Sequence, residues 1–292
     1  MKLTAPLPEL SFDLQAAGRR LRIKAILPPG QTLDGPQPVL VFLHEGLGSI
    51  AQWRDFPLAL ARTTGLPALV YDRYGHGRSE ALQAPRDRNY LETECEALAQ
   101  VLDTCAIQAP ILIGHSDGAT LALLFAARFP QRALGVVAEA AHVFIEAVSL
   151  QGIREVRRAF ETTALRAQLA RHHGAKVDSM FYGWNDVWLA PEHQDWSMLD
   201  RLAAIRVPVL AIQGALDEYG TPAQLQAITG HAGGPARALL LSGCGHVPHF
   251  QAREAVLAEL TGFVAELRRR PGGTEITHES RPFSVENEIS SP

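Results

Sequence analysis

The sequence predicts an α/β protein: a mostly parallel sheet flanked by helices, with one helical insertion between core strands. Three observations lead there. Short, nearly continuous apolar runs recur along the 292 residues, helical patterns separate them, and the stretch 143–206 has helical spacing without a convincing strand. Runs of Val, Ile, Leu and Ala without polar alternation mark strands covered on both faces. Their alternation with helices implies right-handed crossovers and a parallel sheet.

Taken in order, strands are expected at Leu21–Leu27, Val39–Leu43, Ala68–Tyr71, Ile111–Ile113, Gly135–Ala138, Val209–Gln213 and Ala238–Leu241. Helices are expected near Ala51–Thr63, Asn89–Cys105, Ala119–Phe129, Thr221–Ile228 and Glu254–Arg269. Within the insertion, Ile153, Val156, Phe160, Leu165 and Leu169 recur at helical spacing, with Gly174 as a stop. A second helix is expected over Val177–Leu189, ended by Pro191. The organisation is therefore a core of 1–142 and 207–270, a helical cap of 143–206, and a polar tail of 271–292. Pro271-Gly272-Gly273 opens that tail, which is expected to be unstructured.

Composition narrows the function. At 47% hydrophobic residues the chain can bury a large core, and a net charge of −4 leaves no basic stripe for nucleic acid. The clusters Arg157-Arg158 and Arg268-Arg269-Arg270 read as solvated or dipole-complementing helix residues. Three widely spaced cysteines do not form a disulfide framework and suit a reducing cytoplasm. No signal-peptide core opens the chain, and no apolar window is of bilayer length. The expectation is a cytoplasmic protein acting on a small molecule, with neither nucleic acid nor membrane as partner.

The most informative local feature is Gly114-His115-Ser116-Asp117-Gly118, a G-x-S-x-G between an apolar strand and a helix that ends near Pro130. A sharp strand–turn–helix lifts a serine hydroxyl out of the top of a sheet, where the helix N-terminus offers unpaired N–H groups. Such a serine needs a histidine as base, and the histidine needs an orienting carboxylate. Both follow in the chain order expected of this sheet type. Asp217 lies just beyond Val209–Gln213, and His246 just beyond Ala238–Leu241. Glu139, at the end of Gly135–Ala138, and Glu218 are the rival acids; His249 is the rival base, read instead as a packing or pocket residue.

With these motifs the chain resembles the α/β-hydrolase superfamily, in its cap-bearing serine hydrolase branch. His44-Glu45-Gly46-Leu47-Gly48 resembles that fold's H-G-x-G oxyanion loop, and Tyr71-Asp72-Arg73-Tyr74-Gly75-His76-Gly77-Arg78-Ser79 its D-x-x-G-x-G-x-S turn. The resemblance covers about residues 20–268 and implies Ser116 as nucleophile, His246 as general base and acid, and Asp217 as orienting carboxylate. It further implies an oxyanion hole made by the backbone N–H groups of Gly46 and Asp117. One departure stands out: Glu45 occupies a position usually held by glycine, and a carboxylate beside a developing oxyanion is unfavourable unless it turns away.

Other polar residues receive structural readings: His44 and His76 hydrogen-bond within their loops, and His172-His173 complement a helix C-terminus. Asp117 reads foremost as a favourable charge at a helix start. No HExxH or Cys-x-x-Cys spacing is present, so no metal and no cofactor are implied. Trp184, Trp188 and Trp196 cluster in the cap with Phe181 and Tyr182. They serve as glue between cap and core, with Trp184, Trp188 and His249 as candidate pocket residues for an apolar or aromatic substrate.

The expected activity is hydrolysis of a small carboxylic ester, lactone or thioester through an acyl-enzyme. The alternatives are carbon–carbon hydrolysis of vinylogous 1,5-diketones, as in aromatic degradation, and a non-catalytic ligand sensor. A proline-releasing peptidase is disfavoured because its H-G-G-P-G loop is replaced here. Haloalkane dehalogenases and epoxide hydrolases resemble the fold but use an aspartate nucleophile, which Ser116 is not.

Overall fold

The computed structural model describes residues 7–269 and 284–286. Strands β1 (Glu9–Ala16) and β2 (Arg19–Ile26) come first, then β3 (Gly35–Leu43), helix α1 (Phe56–Thr64) and β4 (Ala68–Tyr71). Helix α2 (Tyr90–Thr104), β5 (Ile107–His115), α3 (Asp117–Arg128) and β6 (Gly135–Glu139) follow. Four helices come next: α4 (Ala147–Thr162), α5 (Leu165–His173), α6 (Val177–Leu189) and α7 (Leu199–Leu202). The remainder is β7 (Val209–Gly214), α8 (Ala223–His231), β8 (Ala236–Leu241), α9 (Pro248–Gln251), α10 (Arg253–Arg269) and β9 (Ser284–Glu286).

The strands form one sheet in the order β1-β2-β4-β3-β5-β6-β7-β8-β9. β2 runs antiparallel to both neighbours, and every pair from β4 to β9 is parallel. Side-chain alternation explains the continuous apolar runs. Val39, Val41 and Leu43 of β3 face one layer with α2, α3 and α8, while Leu40 and Phe42 face the other with α1 and α10. Because helices cover both faces, neither side of a central strand can be polar.

Three local readings change. The sequence reading did not include β1, although Leu10, Phe12, Leu14 and Ala16 alternate; as an edge strand it leaves Leu10 53% and Phe12 36% exposed, so apolar weight is a poor guide there. The helix expected over Ala51–Thr63 divides at Arg54, whose φ of +51° ends a short 3-10 turn (Ile50–Trp53) before α1. The first insertion helix divides between α4 and α5. Thr162 and Thr163 hydroxyls donate to the carbonyls of Arg158 and Ala159, and Thr163 Oγ1 then accepts the Leu165 N–H, which restarts the helix.

The insertion has its own apolar clusters. Phe160, Leu169, Val177, Met180 and Phe181 form one, Ile153, Trp184 and Trp188 another, and Leu47 of the core packs against both. In the tail, Ser284–Glu286 pairs parallel with β8; the expectation of an unstructured 271–292 otherwise lies outside the described residues. Among the described residues no helix is long and apolar enough to cross a membrane. The three cysteines are free thiols.

Candidate active site

Ser116 sits between β5 and α3 with φ +52° and ψ −116°, a conformation an L-residue adopts only under constraint. Its two glycines are steric requirements. A Cβ on Gly118 would lie 2.0 Å from the Leu43 carbonyl oxygen, and one on Gly114 would lie 2.2 Å from that of Gly118. The turn delivers the serine to a histidine: Ser116 Oγ lies 2.9 Å from His246 Nε2, and His246 Nδ1 lies 2.8 Å from Asp217 Oδ1. Asp217 accepts only, so Nδ1 carries the proton and Nε2 faces the serine as acceptor. Asp217 also accepts the Tyr219 N–H at 2.8 Å and the Gln213 amide at 3.3 Å. Burial works to raise its carboxyl, but the His246 hydrogen bond and charge and the Tyr219 N–H outweigh burial and hold it below its ordinary value. His115 Nε2 donates to the His246 carbonyl at 2.7 Å, tying the elbow to the histidine loop.

The rival residues pair with each other instead. Glu139 Oε2 lies 2.8 Å from His249 Nδ1, both buried, and His249 packs on Trp53. His249 lines a cavity of about 560 Å³ with Glu45, Trp53, His115 and Leu169.

The loop after β3 is held from behind. The Glu45 carbonyl accepts from Arg73 Nη2 at 3.0 Å, His44 Nδ1 at 2.8 Å and the Gly48 N–H at 3.0 Å. The Gly46 carbonyl accepts from His76 Nε2 at 3.0 Å, and the Leu47 carbonyl from His173 Nε2 at 3.0 Å. A trans peptide points its N–H away from its C=O, so pinning the Glu45 carbonyl aims the Gly46 N–H the other way. Neither that N–H nor the Asp117 N–H, first in α3, has a hydrogen-bond partner among the described residues. The Glu45 carboxylate turns to His115, Oε2 to Nδ1 3.7 Å. Burial opposes ionisation, but His115 outweighs it and holds Glu45 down to about 2; the same pairing overcomes burial and raises His115.

Asp117 does more than complement a helix start. Its Oδ2 accepts from Arg73 Nη1 and Nη2, each at 3.2 Å, and the Tyr90 hydroxyl lies 2.9 Å from both carboxylate oxygens. Trp188 Nε1 in α6 reaches Asp117 Oδ1 at 3.2 Å and Tyr90 Oη at 2.9 Å, so the insertion is bound to the residue after the serine. Trp184 covers Gly46: a Cβ there would lie 2.2 Å from its Nε1. Trp196 belongs to the main core. The sequence reading gave Arg73 and Tyr90 no role of their own and gave His173 only that of complementing a helix C-terminus, whereas it bonds the Gly77 N–H and the Leu47 carbonyl. An arginine two residues beyond a buried strand was a signal for Arg73; Tyr90 had none.

Comparison with known proteins places the fold. A family profile for the alpha/beta hydrolase fold matches residues 38–198. Over 124 residues the chain is 32% identical to Epoxide hydrolase B of Mycobacterium tuberculosis (strain ATCC 25618 / H37Rv), covering 42% of this chain and 33% of that protein. Over 99 residues it is 34% identical to sn-1-specific diacylglycerol lipase ABHD11 of Xenopus tropicalis, covering 34% of this chain and 30% of that one. The chain thus spans about a third of the length of the curated relatives it matches. Among solved structures, a proline iminopeptidase of Mycobacterium smegmatis superposes with a TM-score of 0.69 at 20% identity, over 88% of this chain and 98% of that one. That likeness is one of fold.

Proposed function

The chain belongs to the alpha/beta hydrolase fold family, and from that premise we propose that it is a serine hydrolase cleaving a small carboxylic ester, lactone or thioester through an acyl-enzyme. The observation that carries the proposal is the continuous hydrogen-bonded line Ser116–His246–Asp217, at 2.9 and 2.8 Å. In this reading Ser116 Oγ attacks the carbonyl carbon while His246 Nε2 takes its proton. Asp217 stabilises the imidazolium that forms. The Gly46 and Asp117 N–H groups receive the oxyanion of the tetrahedral intermediate. Collapse expels the alcohol or thiol, which takes the proton back from Nε2. A water molecule, deprotonated by the same nitrogen, then attacks the acyl-serine, and Nε2 returns that proton to Ser116 Oγ as the acid is released.

The likeness to a diacylglycerol lipase supports an ester substrate. The likeness to an epoxide hydrolase does not transfer its chemistry, because epoxide hydrolases of this fold use an aspartate nucleophile and this elbow carries Ser116. Trp53, Leu169 and Phe250, which line the cavity beside His249, favour an apolar or aromatic substrate group. Intact-mass spectrometry after fluorophosphonate treatment, with Ser116→Ala alongside, tests the proposal. One adduct on the wild type and none on the variant is the expected result. No adduct on folded wild-type protein would overturn it and put the ligand-sensor reading first.

A further inference from the structure

Resting on the serine hydrolase reading, we infer that His173, on the insertion, is a positioning residue that orients the Gly46 N–H through two linked peptide planes. His173 ends α5 and is 2% exposed. The Gly77 N–H donates to its Nδ1 at 3.0 Å, so Nδ1 is an acceptor and the ring proton resides on Nε2. Nε2 donates to the Leu47 carbonyl at 3.0 Å. Burial, together with His172 and Lys176, pushes this imidazole down to about 4 against the hydrogen bond to Leu47, so the neutral tautomer persists at ordinary pH.

The Leu47 carbonyl and the Gly48 N–H are the two ends of one planar peptide. The Gly48 N–H donates to the Glu45 carbonyl at 3.0 Å. The Glu45 carbonyl and the Gly46 N–H are in turn the two ends of the next plane. A hydrogen-bonded series therefore runs from Gly77 through His173, Leu47–Gly48 and Glu45–Gly46 to the oxyanion position. Each plane is held at its far end, and each bond polarises the next. Two packing contacts fix the same loop to the insertion: Leu47 against both of its apolar clusters, and Trp184 against Gly46. Core residues Arg73, His44 and His76 pin the neighbouring carbonyls; His173 is the pin contributed by the insertion, which makes the loop depend on how the insertion docks.

Two substitutions separate this role from general anchoring. His173→Asn keeps an acceptor near the Gly77 N–H but is too short to reach Leu47. His173→Gln carries an amide donor at about the position of Nε2. Steady-state kinetics on a p-nitrophenyl ester should show kcat for His173→Asn lower by about tenfold or more, a fraction of the loss for deleting an oxyanion donor outright, with KM within about threefold. Affinity for a trifluoromethyl ketone, which forms a tetrahedral oxyanion with the serine, should fall by a similar factor, and His173→Gln should recover most of both losses. Melting curves establish that each variant is folded. Equal kcat and ketone affinity in wild type and His173→Asn would overturn the inference, as would equal impairment of the Asn and Gln variants. Wild-type protein without a fluorophosphonate adduct on Ser116 would instead bring down the serine hydrolase reading, and this inference with it.

Discussion

Replacing Arg73 by methionine tests whether the buried ion pair beside Ser116 holds the site together. Arg73 is fully buried and Asp117 is 2% exposed, so neither charge has water to fall back on. The substitution removes two donors at 3.2 Å from Asp117 and one at 3.0 Å from the Glu45 carbonyl. Stripping one partner from a buried pair costs about 3–5 kcal/mol. The Tyr90 hydroxyl and the Trp188 indole remain on the carboxylate, which places the expected loss near the lower end, about 3 kcal/mol. In a protein of 292 residues that lowers the melting midpoint by about 5 °C. The assay is a double-mutant cycle by urea unfolding and calorimetry on wild type, Arg73→Met, Asp117→Asn and the pair. Removing the stranded charge in the double variant should restore about 2 kcal/mol. Additivity within about 0.5 kcal/mol, or a Met variant that melts with the wild type, would refute the argument.

Three further outcomes are expected. Asp217→Asn should lower kcat by about 10³–10⁴-fold, since the amide lacks the charge that stabilises the His246 imidazolium and can donate to Nδ1, favouring the wrong tautomer, whereas Glu139→Gln should cost far less because Glu139 serves His249; comparing kcat for the two separates the acids. Gly46→Ala should lower kcat by about tenfold or more because its methyl meets Trp184, and Trp184→Ala in that background should recover part of the loss; no recovery would mean the methyl acts elsewhere. Glu45→Gln should cost stability in a pH-dependent way. The depressed Glu45 carboxyl stabilises above its ordinary 4.5 and loses this as pH falls toward about 2, while the raised His115 stabilises below 6.5 and loses this as pH climbs past its raised value. Urea midpoints at about pH 3, 5.5 and 9 should show the largest cost at the middle value; a constant cost would discount the pair.

Much of the fold and of the candidate site was legible in the sequence because the signals are local. The strand runs are apolar on both sides, and the elbow is a run of consecutive residues whose glycines answer clashes with nearby backbone. Asp217 and His246 could be picked out because each follows a strand, and parallel strands end on one edge of the sheet. Chain order favoured Asp217 over Glu139, which closes β6, but only the direction of His246 and His249 gives each acid its partner. Edge strand β1 escaped because half of its apolar alternation faces solvent. The division of α4 from α5 escaped because apolar spacing continues across the two threonines that break the backbone pattern.

The sequence by itself determined the central strands, the strand–turn–helix around Ser116 and the order in which Ser116, Asp217 and His246 occur, since these depend on residues close in the chain and on a rule shared by parallel sheets. Tertiary structure alone decided what surrounds them. Arg73 meets Asp117 across 44 residues, and His173 meets Leu47 across 126. Such contacts follow from how a helix docks on a loop, and hydrogen bonds, short in range and strict in angle, form only once that docking is complete.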